Sequence, residues 1–288
     1  MQLFFEQMLN GLAVGAIYAM ITLGLALVYG IMRILHVAHA AVYTLGAYVG
    51  LALYTATGNL PLAVAGAMVF CAAVGVLIER FVYYPLLKYP PYVPLIGSIA
   101  CLLAIEEICR LVWGPEIQSF PANLPFPSFT VGGIFISSTL SAVYGISAGV
   151  LILLWFITTK TELGLAMRAT SQDRAIASSM GINSHWVISV TFMIGSAVAA
   201  IAGILVGIYY NQVYPTMGAV PAYKTLALIV VGGLGSVPGA VLAAVLLGVA
   251  ETLLIGYAGI PLPRDALAFI AMIAVLLWRP QGILGGRR

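Results

Sequence analysis

The chain's 288 residues are 62% hydrophobic and 7% charged, with 12 basic and 9 acidic residues and a formal net charge of +3. Soluble domains run about 45–50% apolar and about 25% charged, so a water-surrounded globule is excluded and a membrane protein is indicated. The basic residues are scattered, which argues against nucleic-acid binding, and Cys71, Cys101 and Cys109 sit in apolar runs without metal-ligand spacing, as small buried hydrophobes would.

The first ten residues, MQLFFEQMLN, carry no basic residue, and the first in the chain is Arg33. The opening apolar stretch is therefore expected to remain as a span and not to be cleaved as a leader. A helix needs roughly 20 apolar residues to cross about 30 Å of hydrocarbon. Stretches of that kind occupy 8–31, 41–57, 60–79, 94–113, 138–158 and 186–209, followed by an interrupted pair at 223–234 and 238–256 and a last span at 264–278. The expectation is an all-α polytopic membrane protein, one transmembrane domain over 1–288, with about eight or nine transmembrane helices, some broken or half-length.

Alternating loops put Arg33, Arg80, Lys88, Lys160, Arg168, Arg174, Arg279, Arg287 and Arg288 on one side, and only Arg110, Lys224 and Arg264 elsewhere. By the excess of Lys and Arg in cytoplasmic loops, that side is cytoplasmic. Nine crossings put the N-terminus outside, eight inside.

The first break, Arg33-Ile34-Leu35-His36-Val37-Ala38-His39-Ala40, places two histidines at i, i+3. Such a pair is able to share a metal or relay a proton, but no third ligand lies nearby, and a polar element lining a cavity or capping broken helices is favoured. In the span at 94–113, Glu106, Glu107 and Arg110 lie together at helical spacing, with Glu106 and Arg110 at i, i+4, so internal pairing within the group is expected. The outer segment 114–137 holds Pro115, Pro121, Pro125 and Pro127, which preclude a continuous helix. It reads as a stiffened cover or as a docking surface for an external partner, and 209–223, with Pro215 and Pro221, is a second candidate on the same face.

The longest polar interruption is 160–183, KTELGLAMRATSQDRAIASSMGIN, with Lys160, Glu162, Arg168, Asp173 and Arg174. Uncompensated charge is costly in hydrocarbon, so this segment lies outside the bilayer. Ser171 as N-cap, Asp173 in the first turn and Gly181 at C′ predict a short helix over Gln172–Met180. Ile176 and Met180, at i, i+4, give it a thin apolar face. Too short to stand alone, it needs a surface: its own protein or the membrane on one reading, a groove of a separate partner on the other.

The late break, Gly232-Gly233-Leu234-Gly235-Ser236-Val237-Pro238-Gly239, cannot continue a helix. It reads as a tight helix–helix turn or as a gate or path element. It contains no Gly-Lys pair, so it is no Walker A loop, and if ATP drives the protein another subunit hydrolyses it. Glu251 stands alone in an apolar run, a functional candidate or a buried acid paired with Lys224 or a backbone amide. Nothing resembles a catalytic triad or a Cys/His pair.

Several motifs occur together along nearly the whole chain: Gly11-Leu12-Ala13-Val14-Gly15-Ala16-Ile17-Tyr18-Ala19 with Leu23-Gly24-Leu25, Ala38-His39 before Leu45-Gly46-Ala47-Tyr48, and Glu79-Arg80 before Tyr84-Pro85-Leu86. Thr161-Glu162-Leu163-Gly164 then leads to Arg168-Ala169 and Asp173, and Gly181-Ile182-Asn183, the Gly232–Gly239 break and Arg279-Pro280-Gln281-Gly282 follow. In this the chain resembles the permease subunits of branched-chain amino acid ABC importers, of the LivH type. It departs where that family shows Asn-Phe-Ala-His-Gly-Glu, having His36-Val37-Ala38-His39-Ala40-Ala41 instead.

The resemblance implies a bacterial inner-membrane subunit that works with a second permease chain, identical or different, two cytoplasmic ATPase subunits that hold ATP and magnesium, and an external, periplasmic substrate-binding protein. It implies no cofactor and no metal in this chain. It matches 160–183 to the segment that seats in an ATPase groove, with Gly164, Arg168, Ala169, Asp173, Ile176, Met180 and Gly181 as its coupling residues. His36, His39, Gly232, Gly233, Gly235, Pro238 and Glu251 are the candidates for the translocation path. The expected substrate is leucine-, isoleucine- or valine-like, with urea, short amides or aromatic acids as alternatives within the same class. A stand-alone ion-coupled transporter or channel, using Glu251 and the histidines, is the alternative of another class.

Overall fold

Uninterrupted apolar runs become helices, and each helix starts and stops where a small polar side chain or a glycine takes over the orphan backbone groups. In the computed structural model, which describes residues 2–261 and 263–285, α1 spans Gln2–Met32 and α2 His39–Thr57. Gly58, at φ 66°, stops α2, and Asn59 accepts a hydrogen bond from the Leu62 amide to start α3, Leu60–Ile78. That helix continues through a π turn, Glu79–Tyr83, to Leu86. Next come α4, Tyr92–Trp113, and α5, Ser138–Lys160, capped by Ser137.

Two short helices, α6 (Glu162–Gln172) and α7 (Arg174–Ser179), precede α8, Ser184–Tyr210, which Asn183 caps. The chain closes with α9 (Ala219–Gly232), α10 (Val237–Glu251, extended by a π turn Thr252–Tyr257) and α11 (Arg264–Trp278).

Six of the described helices, α1, α2, α3, α5, α8 and α10, are long and apolar enough to cross a bilayer. Helix α4 has 22 residues but carries Glu106, Glu107 and Arg110. Helices α9 and α11 have 14 and 15 residues, about 21–23 Å at 1.5 Å per residue, and are thus half-length. The polytopic all-α expectation holds, half helices included. Of the basic residues used for orientation, Arg287 and Arg288 lie outside the described residues, and Arg264 is described by its backbone alone.

Helix α1 lies at the centre, packed along α10 and α8, while α8 also covers α2 and α3. Close approach rests on small residues, as it does wherever lipid surrounds a bundle and burial drives little association. A Cβ on Gly248 would sit 2.4 Å from the Gly15 Cα, and one on Gly203 2.1 Å from the Tyr43 carbonyl oxygen.

The segment 114–137 is irregular apart from an unforeseen hairpin, Phe129–Val131 (β1) against Ile134–Ile136 (β2). Gln118 and Val213 exchange backbone hydrogen bonds, each 2.8 Å, and Asn211 Oδ1 accepts from the Phe120 amide. The two proline-bearing segments are thereby tied together over the end of the bundle.

The charged group of α4 pairs internally, as expected, through Arg110 and Glu107 at 2.7 Å. Glu106 turns into the protein, 8% exposed, and its Oε1 has no hydrogen-bond partner. Glu107 and Arg110 share the outer face of α4, 58% and 44% exposed.

Candidate functional site

The 160–183 segment is built from two consecutive caps. Thr161 Oγ1 accepts from the Gly164 amide at 3.2 Å and opens α6. Gly164 then lies against the end of α5, where a Cβ would be 2.3 Å from the Thr158 carbonyl oxygen and 2.5 Å from that of Ile157. The Arg168 guanidinium donates to the same Thr158 carbonyl, so α6 is folded back on α5 at both points. Ala169 is half-buried on the helix.

The N-cap of the next helix is Asp173, not Ser171. Asp173 Oδ1 accepts from the amides of Ala175 (2.8 Å) and Ile176 (3.0 Å), whereas Ser171 belongs to α6 and donates to the Arg168 carbonyl. The expected Gln172–Met180 helix is therefore Arg174–Ser179, because a carboxylate that satisfies two orphan amides outcompetes a hydroxyl two residues earlier. Gly181 takes the C′ position, at φ 88°, with the Gly181 amide on Ser178 O and the Ile182 amide on Ala177 O. This pair of bonds is a full Schellman stop.

One face of α7 is bound to its own chain. Ala177 is buried, Ser178 Oγ lies 3.1 Å from Ser184 Oγ, and Arg174 Nη2 donates to the Ile31 carbonyl at the end of α1 (3.2 Å). The other face presents Ile176 and Met180, 62% and 79% exposed. The reading of a helix packed on its own protein holds for the first of these faces.

The break between α1 and α2 runs back along α1. Arg33 holds the left-handed backbone that glycine usually supplies, φ 55°. By His39 the chain has returned to Ile21, whose carbonyl accepts from His39 Nε2 at 3.2 Å. His36 Nδ1 is 2.6 Å from the Tyr83 hydroxyl, which is 2.7 Å from Ser98 Oγ, and that oxygen accepts from the Ala38 amide at 2.9 Å. The His36 ring packs edge-on against those of His39 and Tyr83 and tilts over Phe192. Both histidines are 1% exposed, and His36 Nε2 and His39 Nδ1 have no partner. Among the described residues no third His, Cys, Asp or Glu joins them in a metal-ligating group. Tyr83 and Ser98 were not legible beforehand, because the π turn that aims Tyr83 inward leaves no mark in residue spacing.

The start of α9 meets the start of α2. A Cβ on Gly218 would be 2.4 Å from the Ala40 carbonyl oxygen and 2.5 Å from Thr44 Oγ1. Two interrupted helices thus bring their N-terminal ends together beside the histidines.

At its other end α9 turns sharply into α10. Gly233 and Gly235 have φ 109° and 86°, and a Cβ on Gly239 would be 2.1 Å from the Gly232 carbonyl oxygen. Ser236 Oγ caps α10 on the Gly239 amide, and exposed Pro238 lies in its first turn. The Ile283 and Leu284 amides donate to the Val231 and Gly232 carbonyls. This is the geometry of a tight turn with the C-terminal segment folded over it.

Glu251 has the partner weighed for it. Lys224 Nζ is 2.8 Å from Glu251 Oε1, 3.0 Å from the Tyr18 hydroxyl and 3.2 Å from Asp265 Oδ1. Tyr18 in turn donates to Glu251 Oε2 at 3.1 Å, and Tyr223 donates to Asp265 Oδ2 at 2.6 Å. Four helices, α1, α9, α10 and α11, contribute to this cluster. A lysine and a glutamate 27 positions apart in apolar runs were the available signal; Tyr18, Tyr223 and Asp265 had none.

A family profile described as "Branched-chain amino acid transport system / permease component" matches residues 7–276. The chain is 34% identical to the high-affinity branched-chain amino acid transport system permease protein BraD of Pseudomonas aeruginosa, over 98% of this chain and 96% of that one. It is 33% identical to the corresponding protein LivH of Escherichia coli K12 over the same shares, and 26% identical to LivM of that organism over 93% and 68%. No solved structure matches the chain.

Proposed function

Because the chain belongs to the family of branched-chain amino acid transport permease components, we propose that it is the membrane-spanning permease of an ATP-driven, binding-protein-dependent importer of leucine-, isoleucine- or valine-like amino acids. It is a non-catalytic subunit of the bacterial cytoplasmic membrane. Two cytoplasmic ATPase subunits hydrolyse ATP with magnesium, and an external binding protein delivers the substrate. A second permease completes the pathway, and similarity to both LivH and LivM suits a pair of related but different chains.

The observation that carries this reading is the exposed pair Ile176 and Met180 on a helix that is capped at both ends and anchored by its other face. Two large apolar side chains held rigidly outward form a knob for a groove on a partner. When ATP draws the ATPase pair together, α7 moves as a unit, and Arg174 passes that movement to the Ile31 carbonyl at the end of α1. Alternating access needs two discrete arrangements that ligands favour differently. The turn Gly232, Gly233, Gly235 and Pro238 serves as a pivot between α9 and α10. The substrate passes beside His36 and His39, whose unpaired ring nitrogens await polar groups in the open state, while Glu251 stays paired with Lys224 and holds the surrounding helices.

The test replaces Ile176 and Met180 together with Asp. Membrane levels should stay normal, while the ATPase no longer co-purifies and leucine uptake is lost. Uptake at the unaltered rate by the double variant would refute the coupling role.

A further inference from the structure

Beside α7 lies a cleft of about 400 Å³, walled by Ile31 and Leu87 among other apolar residues. Arg33 and Arg174 both line it, and no Asp or Glu does. Among the described residues, neither arginine has a carboxylate within ion-pair distance. Burial, and after it the charge of Arg33, pulls the half-buried Arg174 guanidinium below its ordinary value. An exposed Arg33 and a half-buried Arg174 therefore face one cleft that no carboxylate lines, an arrangement that an anion would stabilise. The single bond from Arg174 to the Ile31 carbonyl leaves most of the five guanidinium donors free.

Thr170 supplies a second, independent sign. It lines the same cleft, is 1% exposed, and its Oγ1 has no hydrogen-bond partner. A buried hydroxyl without a partner is costly unless an oxygen of another molecule completes it.

The surroundings point to where the anion comes from. The α3–α4 connection carries Tyr84, Tyr89 and Tyr92, 52%, 50% and 63% exposed. Lys88 Nζ stands 5.3 Å from the centre of the Tyr89 ring, and Tyr89 itself lines the cleft. Exposed tyrosines interleaved with a lysine are the signature of headgroup depth in a bilayer.

We propose that this cleft binds the phosphate of an acidic membrane phospholipid, held by Arg33, Arg174 and the Thr170 hydroxyl, with the acyl chains leaving past Leu87 and the tyrosines. The inference depends on the chain being a membrane protein and not on the importer reading. Because Arg174 opens α7 and Thr170 lies near the end of α6, an occupied cleft would brace the two short helices of the 160–183 segment.

The full chain in nonionic detergent is titrated with short-chain phosphatidylglycerol, short-chain phosphatidylcholine and inorganic phosphate, and bound species are counted by native mass spectrometry. Phosphatidylglycerol is expected to bind at least about tenfold more tightly than phosphatidylcholine, and Arg33→Gln to weaken it roughly five- to tenfold. Thr170→Val should weaken it less, and Lys160→Gln, outside the cleft, not at all. Arg174→Gln also breaks the contact to Ile31, so Arg33→Gln, whose side chain makes no hydrogen bond among the described residues, decides the matter if Arg174→Gln misfolds. Equal affinity for the two lipids, or no effect of Arg33→Gln, overturns the proposal. Arginine-dependent binding of phosphate without binding of phosphatidylglycerol would make the cleft a free-anion site and overturn the lipid assignment.

Discussion

Lys224 Nζ and Glu251 Oε1 stand 2.8 Å apart, with the two side chains 2% and 1% exposed. Their helices, α9 and α10, are joined by the tight Gly232–Gly239 turn, so the ion pair closes the far side of a hairpin whose near side is glycine on glycine. Tyr18 bonds to both members and ties α1 to the pair.

Removing one member should cost far more than removing both. Lys224→Met leaves Glu251 buried without its counter-charge and is expected to destabilise by about 3–5 kcal/mol, whereas Lys224→Met with Glu251→Leu should recover most of that loss. Thermal unfolding in detergent measures both. A double variant no more stable than the single one would show that the pair itself, and not the stranded charge, sets the cost.

Asp173 supplies the cap of a helix only six residues long, so its carboxylate should dominate the local order of α7. Asp173→Ala is expected to cost about 0.5–2 kcal/mol, seen as faster amide exchange over residues 174–179 with the rest of the chain unchanged. Asp173→Asn keeps an acceptor oxygen and should remain close to the parent.

Gly164 has no room for a methyl group between α6 and the Thr158 and Ile157 carbonyls. Gly164→Ala should force the two helices apart at about 1–3 kcal/mol, the usual range for overpacking. Protease cleavage within 161–172 is the readout, and it should rise well above that of Gly149→Ala, where an added Cβ meets nothing within 4 Å.

Tyr83→Phe retains the ring against His36 and Phe192 but removes the hydroxyl that links His36 to Ser98. Leaving those buried groups unpaired should cost about 1–3 kcal/mol. Tyr84→Phe, at an exposed position, should be neutral, and the difference in melting temperature between the two variants reads the relay directly.

Much of this architecture was legible because it depends on neighbours in the chain. Gly181 at C′ and the glycine turn at 232–239 follow from local backbone chemistry, as do the breaks around Arg33 and the proline-rich cover. The misreading of the short helix's cap was local too, but competitive. Ser171 and Asp173 both fit an N-cap, and spacing ranks such rivals poorly, since a carboxylate that takes two amides outcompetes a hydroxyl.

Composition and order of residues alone settled that this chain lives in a membrane and where its helices begin and end within a few positions. Those outcomes follow from hydration and backbone hydrogen bonding, which act residue by residue. Which residues meet across the bundle belonged to the tertiary structure: Lys224 with Glu251, Tyr18 and Asp265, His36 with Tyr83, Arg174 with Ile31. Helices that are apolar all round carry no stripe to announce which face turns inward. Their facing is set by where glycines let backbones touch and by where a few buried polar groups find one another.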